Sequence, residues 1–467
     1  MKAFGRRLNP VTPVHEVPAA EPLHVPTAAP AAILSEEAAE RGMPPPSNAN
    51  RAPLLRLRAQ VMERVDPAVA AELPAPALRS QLEALVHEIA DRERIEISGR
   101  EQAQLAEELA NDMVGYGPLE ALLKDDTIND IMVNGPSATF IEVAGRVRRA
   151  DIRFRDAQQI ATICQKIAAT VGRRVDESSP LCDCRMPDGS RVNIVFPPLA
   201  LDGPYISIRK FSKKKHDFSA MVRFGSISDQ VKQVLEIAAR CRLNVVISGG
   251  TGSGKTTMLN AMSQMIDHGE RIVTIEDAAE LQLQQPHVVR LETRHANLEG
   301  KGEITQRDLV KNALRMRPDR VIMGEVRGPE AFDMLQAMNT GHDGSLCTVH
   351  ANTSRDALIR IENMVQMGSM ALPTRAIRVQ IASAVDLIIQ IERMRDGGRR
   401  VTQVSEVVGM EGDVITLNDI FTFQYLGDDA TGRIYGRWDS PGMRPAFSDR
   451  LAYFGLLDAW LRALQPS

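Results

Sequence analysis

Residues 244–256 read NVVISGGTGSGKT, an apolar run that breaks into a glycine-rich turn ending in Lys255 and Thr256. Gly249 to Thr256 has the spacing G-x-x-x-x-G-K-[ST] in a strand, loop, helix setting, the pattern of a loop that wraps a phosphate chain. Glycines are needed there because a Cβ would hold the backbone away from the anion that its N–H groups bind. The candidate nucleotide-binding residues are therefore Gly250, Thr251, Gly252, Ser253, Gly254, Lys255, Thr256 and Thr257. For ATP, Lys255 supplies a point charge at the β and γ phosphates, and the Thr256 hydroxyl is a ligand for Mg2+. The helix expected from about Lys255 turns its positive end toward the same anion.

Downstream, Val321–Gly328 reads VIMGEVRG, an apolar strand that delivers Glu325 but carries a Gly at 324 where an Asp is usual. A second strand, Arg271–Ile275, runs into Glu276 and Asp277. Strands neighbouring the phosphate strand can present acids at their C-terminal ends. Asp277 is accordingly the candidate metal ligand beside Thr256, and Glu276 and Glu325 are the candidates for orienting the attacking water, with the choice between them open. In GHDGSLCTVHAN, residues 341–352, His342 and His350 stand at opposite ends of a short strand. They lie too far apart along extended chain to chelate one ion easily, so sensing or coupling is the favoured role, with at least one of them reaching the phosphate end to sense the γ position through a hydrogen bond. Charge also moves among phosphate oxygens during transfer, which calls for more cations. Arg185 and Arg191 flank a P-D-G-S turn that suits a hairpin, and Arg209 follows them.

Around this centre the chain divides by pattern. From about residue 226 to 467 helices alternate with nearly continuous apolar strands, the mark of a parallel sheet covered on both faces. Within it, Arg400 to Tyr425 reads as a hairpin turning at Met410–Asp413. Residues 212–225, opening with SKKKHDF, read as an exposed linker. Residues 116–211 alternate the short β-rich runs NDIMVN, TFIEVAG and RVNIVFPP with a helical stretch, Asp156 to Val171, predicting an α/β unit with an antiparallel sheet. Over 54–115, Leu78, Leu82, Leu85, Val86 and Ile89 share one helix face, and Ser98 with Glu101 has capping-box spacing, which predicts a small helical bundle. Residues 1–53 hold ten of the 27 prolines and read as a disordered Pro/Ala-rich arm, with some helix around Ile33 to Arg41.

Hydrophobic residues at 43% and charged residues at 25% are the balance of a soluble globular protein. A net charge of -4 and 4% aromatic residues give no field or stacking platform for nucleic acid, so no nucleic-acid partner is expected. No apolar run reaches the ~18 residues of a membrane span, and the basic N-terminus lacks a signal-peptide apolar segment, which places the chain in the cytoplasm. The five Cys are scattered and indicate neither disulfides nor zinc.

With the phosphate loop, TIEDAAEL, VIMGEVRG and GHDGSLCTVHAN in that order, the chain resembles the type II/type IV secretion ATPase superfamily from about Leu54 to Gln424. The four stretches correspond to its Walker A, Asp, Walker B and His boxes. The segment TRHANLEGKGEITQRDLVKNALRMRPDRVIMGEVRG is similar to the CpaF-like branch, the assembly motors of tight-adherence (type IVc) pili. The resemblance implies a RecA-like P-loop NTPase domain preceded by an α/β, PAS-like N-terminal domain and the helical bundle. It implies a homohexamer, peripheral at the inner membrane, that hydrolyses ATP with Mg2+ and acts on a pilus platform protein in assembly, with retraction left open. It implies further that Arg185, Arg191 and Arg209 approach the nucleotide, that a Gly before the Walker B Glu is normal, and that the linker lets the N-terminal domain swing. The general-secretion branch carries a four-Cys zinc subdomain that this sequence lacks. The competing expectations are another type IV secretion ATPase and a nucleic-acid translocase on the same scaffold.

Overall fold

The computed structural model describes residues 51–465 apart from 67–69, 71–72, 144, 212–215, 295, 297–300 and 369–371. The arm before residue 51, with the helix expected around 33–41, and the lysines at 213–215 lie outside the described residues. The first helices, Arg51–Arg64, Ala75–Arg92 and Gly99–Met113, meet along the seam that the apolar spacing predicts: Leu57, Val61, Leu78, Leu82, Val86, Ile89, Leu105 and Leu109 are all buried. The third begins with the capping box, Ser98 N donating to Glu101 Oε2 at 2.8 Å and Glu101 N to Ser98 Oγ at 3.3 Å. A cap of this kind contributes about 1 kcal/mol.

Next come β1 (Ile128–Asn134), β2 (Thr139–Val143), β3 (Arg146–Arg149), β4 (Leu181–Arg185), β5 (Arg191–Val195) and β6 (Tyr205–Arg209). They form one antiparallel sheet in the order β3-β2-β1-β6-β5-β4. Its alternating buried residues, such as Val192, Ile194, Ile206 and Ile208, share a core with Ile160, Ile163, Cys164 and Ile167 of the helix Ala157–Thr170. The stretch expected to be an exposed connector contains a helix, Phe218–Arg223, and Phe218 is buried in the core of the next unit.

That unit is built on β7 (Val245–Gly249), β8 (Ile272–Glu276), β9 (Val288–Glu292), β10 (Arg320–Val326), β11 (Leu346–Val349), β12 (Leu387–Arg393), β13 (Arg399–Glu411), β14 (Val414–Asp428) and β15 (Ile434–Asp439). The sheet order is β15-β14-β13-β12-β7-β11-β10-β8-β9. Strands β9 through β12 in this order run parallel, and β13, β14 and β15 extend the sheet antiparallel. Val245 and Ile247 of β7 enter one apolar core and Val246 the other, so helices cover both faces. Two-sided burial is why these strands read as unbroken apolar runs. Among the described residues, no helix is long and apolar enough to cross a membrane.

The topology corrects one expectation. Neither acid-bearing strand neighbours the phosphate strand: β11 pairs with β7, β10 lies beyond it, and β8 lies beyond β10. All four still end at the same edge of the sheet, because they are parallel and Val326 is registered with Val349 and Val349 with Ser248.

Candidate active site

At the C-terminal end of β7 the chain turns through Gly252 at φ 67° and Gly254 at φ 100°, both left-handed, before the helix Lys255–Ser263 begins. No side chain caps that helix. A Cβ at Gly249 would stand 2.3 Å from the Ile391 carbonyl and 2.5 Å from Ser253 Oγ, whereas one at Gly250 would meet nothing within 4 Å. Lys255 Nζ donates to the carbonyls of Gly249 at 2.8 Å and Gly250 at 2.9 Å. Burial draws its pKa below the ordinary value, with Glu325 opposing and Arg327 adding to the effect. Left-handed glycines, an uncapped helix start, a half-buried ammonium and the unpartnered buried hydroxyl of Ser253 together suit a phosphate chain. Thr251 and Gly252 are exposed, and Thr256 and Thr257 are half-buried on the first helical turn. Among the described residues no three acid, His or Cys side chains gather to hold a metal. Magnesium, which keeps several waters and commonly relies on phosphate oxygens, would need only Thr256 and a nearby acid from the protein.

Glu276 closes β8 and is 3% exposed. Its Oε2 accepts from the backbone N–H groups of Glu280 at 2.7 Å and Leu281 at 2.9 Å, while Oε1 has no partner. Burial pushes its pKa up to about 7 against the pull of those two amides. This side chain also explains Gly324: a Cβ there would lie 2.9 Å from Glu276 Cγ. The acid missing from β10 is replaced in space by one from β8. Glu325 accepts from Arg327 Nε at 2.9 Å and from its Nη2, and Arg327 Nη1 is 3.6 Å from Asp277 Oδ2. Thr348 Oγ1 on β11 donates to the Gly324 carbonyl at 2.7 Å and pins the two strands here.

The arginines of the first sheet divide. Arg185 at the end of β4 donates to Glu292 Oε2 at 2.9 Å and to the Ala279 carbonyl, and Arg191 opening β5 donates to Glu280 Oε1 at 3.1 Å. Both thus hold the loop whose amides hold Glu276. Arg209 instead donates to Asp130 of its own sheet at 3.1 Å. The histidines divide as well. His350 follows β11 at the phosphate-loop edge, where Gln390 Nε2 fixes the next turn through the Asn352 carbonyl at 2.8 Å. His342 precedes β11, its Nδ1 3.2 Å from the Ala337 carbonyl, at the opposite edge, since Leu346 is registered with Val245 at the start of β7. The expectation that it shares the phosphate chemistry is corrected by strand direction.

Residues 112–411 match the family model described as Type II/IV secretion system protein. The chain belongs to that family. It is 37% identical over 328 residues to a putative conjugal transfer protein of Mycobacterium tuberculosis, covering 69% of this chain and 93% of that one. It is 34% identical over 295 residues to the conjugal transfer protein TrbB of Rhizobium radiobacter, covering 62% of this chain and 86% of the relative. Among solved structures, the VirB11 ATPase from the Brucella suis type IV secretion system is 27% identical over 62% of this chain and 95% of its own, with a TM-score of 0.34.

In this type II/IV secretion family member the nine-stranded sheet is RecA-like, and its site includes residues that the motifs do not flag. Arg327 lies two residues beyond the recognised acid and bridges Glu325 to Asp277. Arg399 donates through Nε to the Gly252 carbonyl at 2.9 Å. In sequence Arg399 belongs to RMRDGGRR, which reads as a solvated charged turn.

Proposed function

We propose that this chain is a Mg2+-dependent ATPase that drives a type IV secretion or pilus machine, and specifically the assembly motor of a tight-adherence pilus. It works as a cytoplasmic homohexamer, peripheral at the inner membrane through a platform protein. The observation that carries the reading is the meeting, at one sheet edge, of an anion-holding loop with Glu276, Glu325 and Asp277, and of arginines from the preceding sheet on the same acidic loop. Lys255 and the amides of the loop hold phosphate oxygens. Thr256, with Asp277 beside it, would hold magnesium, which when bound would supply neutralising charge. Glu276, whose pKa of about 7 matches a general base at neutral pH, takes a proton from the attacking water. Glu325, engaged by Arg327, orients that water. Arg185 and Arg191 clamp the Glu276 loop, and their release on hydrolysis lets the two sheets part, which round a ring becomes displacement.

The names of the relatives favour a second reading, a motor for conjugal transfer. Deleting the gene in its host and imaging surface fibres, with complementation by wild type or Lys255→Ala, separates the two. Fibres lost on deletion and restored only by wild type support the pilus reading; fibres untouched with conjugation lost transfer the motor to the second. Absence of turnover by the purified wild-type oligomer overturns the ATPase assignment itself, and turnover that survives Lys255→Ala removes it from the phosphate loop.

A further inference from the structure

Arg393 ends β12 and Arg399 opens β13, and the two are registered directly opposite each other across the hairpin. Like charges at opposed positions of an antiparallel pair repel, so this register asks for an anion between them. Glu142 of β2, in the other sheet, stands in that place: its Oε2 is 4.0 Å from Arg393 Nη1 and its Oε1 is 3.9 Å from Arg399 Nη2. The hold is by charge and not by a directed hydrogen bond, since both separations exceed hydrogen-bond length. Arg393 also donates to the Gly145 carbonyl in the β2–β3 turn.

The same two side chains lie on the phosphate loop. Arg399 Nε donates to the Gly252 carbonyl at 2.9 Å, and its Cδ is 3.4 Å from where a Cβ of Gly254 would be. Arg393 Nη1 is 3.7 Å from the corresponding position at Gly252. The other acids of the hairpin are engaged elsewhere. Asp396 pairs with Arg400 at 3.3 Å and accepts from the amides of Gly398 and Ile434, and Glu392 accepts from Thr402 Oγ1 at 2.8 Å. Two guanidinium groups therefore share one carboxylate and leave a unit of positive charge against the loop.

We propose that Arg399 and Arg393 are positioning residues for nucleotide, held in check by Glu142, so that a phosphate chain on the loop competes with the N-terminal sheet for the same pair of guanidinium groups. Nucleotide binding then weakens this Glu142 contact, which is separate from the Arg185 and Arg191 clamp, and the Glu142 contact weakens nucleotide binding, as linkage requires. The inference rests on the phosphate-loop reading given above and adds to it a route by which loop occupancy reaches the N-terminal sheet. It is independent of the acids that activate water.

The test uses the full-length oligomer and fluorescent methylanthraniloyl-ATP, with melting temperature as the check on folding. Glu142→Gln, which keeps shape and removes charge, is expected to tighten binding about fivefold and lower KM for ATP by a like factor while kcat moves less than about twofold. Glu142→Asp is expected to restore wild-type values. Arg399→Gln is expected to weaken binding about tenfold, and Glu142→Gln added to it should have a smaller effect than in wild type, because one of the two guanidinium groups through which the carboxylate acts is gone. Amide exchange in the β2–β3 turn should quicken when nucleotide is added to wild type. If wild type binds nucleotide and Glu142→Gln binds it equally or more weakly, or if the two substitutions add independently, this inference fails alone. If wild type binds no nucleotide, the phosphate-loop reading fails and the competition fails with it.

Discussion

A glycine and a glutamate from different strands form one unit at the heart of the site. A methyl group at 324 would sit 2.9 Å from Glu276 Cγ and 3.4 Å from its Oε2, in a place where both strands are pinned by their ladders. Gly324→Ala should therefore destabilise the fold by about 1–2 kcal/mol and displace the acid, with turnover falling far more than stability. Adding Glu276→Ala should recover the lost stability but not the turnover; a double variant as unstable as the sum of the singles would show that the two residues do not collide. Protonation gives a second handle. Burial raises Glu276 from an ordinary 4.5 to about 7, so the folded chain keeps a proton that the unfolded chain has released. The stabilisation from that proton is complete below about pH 4.5 and declines as pH rises toward 7. Glu276→Gln cannot ionise, so in chelator and without nucleotide it should lack a decline on the order of 2 kcal/mol between pH 5 and 8 that wild type shows in denaturant melts. Parallel stability curves for the two proteins would contradict the raised pKa.

At the scale of the strand and the loop, two adjacent glycines have opposite duties. Gly249 belongs to β7 and is registered with Ile391 of β12, whose carbonyl a Cβ would meet at 2.3 Å. Gly249→Ala should cost about 3 kcal/mol or prevent folding, because the obstacle is backbone held in a ladder. Gly250→Ala meets open space and should melt within about 0.5 kcal/mol of wild type. Equal melting of the two variants would refute the packing account. The spacing of the loop was legible in the sequence because its glycines, Lys255 and Thr256 are contiguous, and β7, β8, β10, β11 and β12 were legible because burial on both faces keeps them mostly apolar. The strand β9 was not read: it is half-exposed at the sheet edge and carries Arg290 and Glu292 among its five residues. Sheet order was also hidden, since nothing local in LCTV announces that it inserts between β7 and β10. The direction of β11, and with it the separation of His342 from His350, follows only once that insertion is known.

Across the whole molecule, the question is whether the arginines of the N-terminal sheet merely fasten it to the RecA-like unit or act on nucleotide. Arg191 and Glu280 meet at 3.1 Å with side chains about a third exposed, and such a pair is worth at most ~1 kcal/mol. Fastening alone is therefore a small term, and reversing the pair can isolate it. Glu280→Arg should lower the melting temperature slightly by setting two arginines together, and Arg191→Glu with Glu280→Arg should restore it by rebuilding the contact in the opposite sense. Turnover should behave differently. A cation carried by the loop at 280 cannot be presented and withdrawn by the N-terminal sheet, so the double variant should remain at least about tenfold below wild type in kcat despite its recovered stability. If recovery of the contact also recovers turnover, Arg191 is a fastener, and the motion that couples the two sheets must be carried by Arg185 or by the Glu142 contact on the phosphate loop.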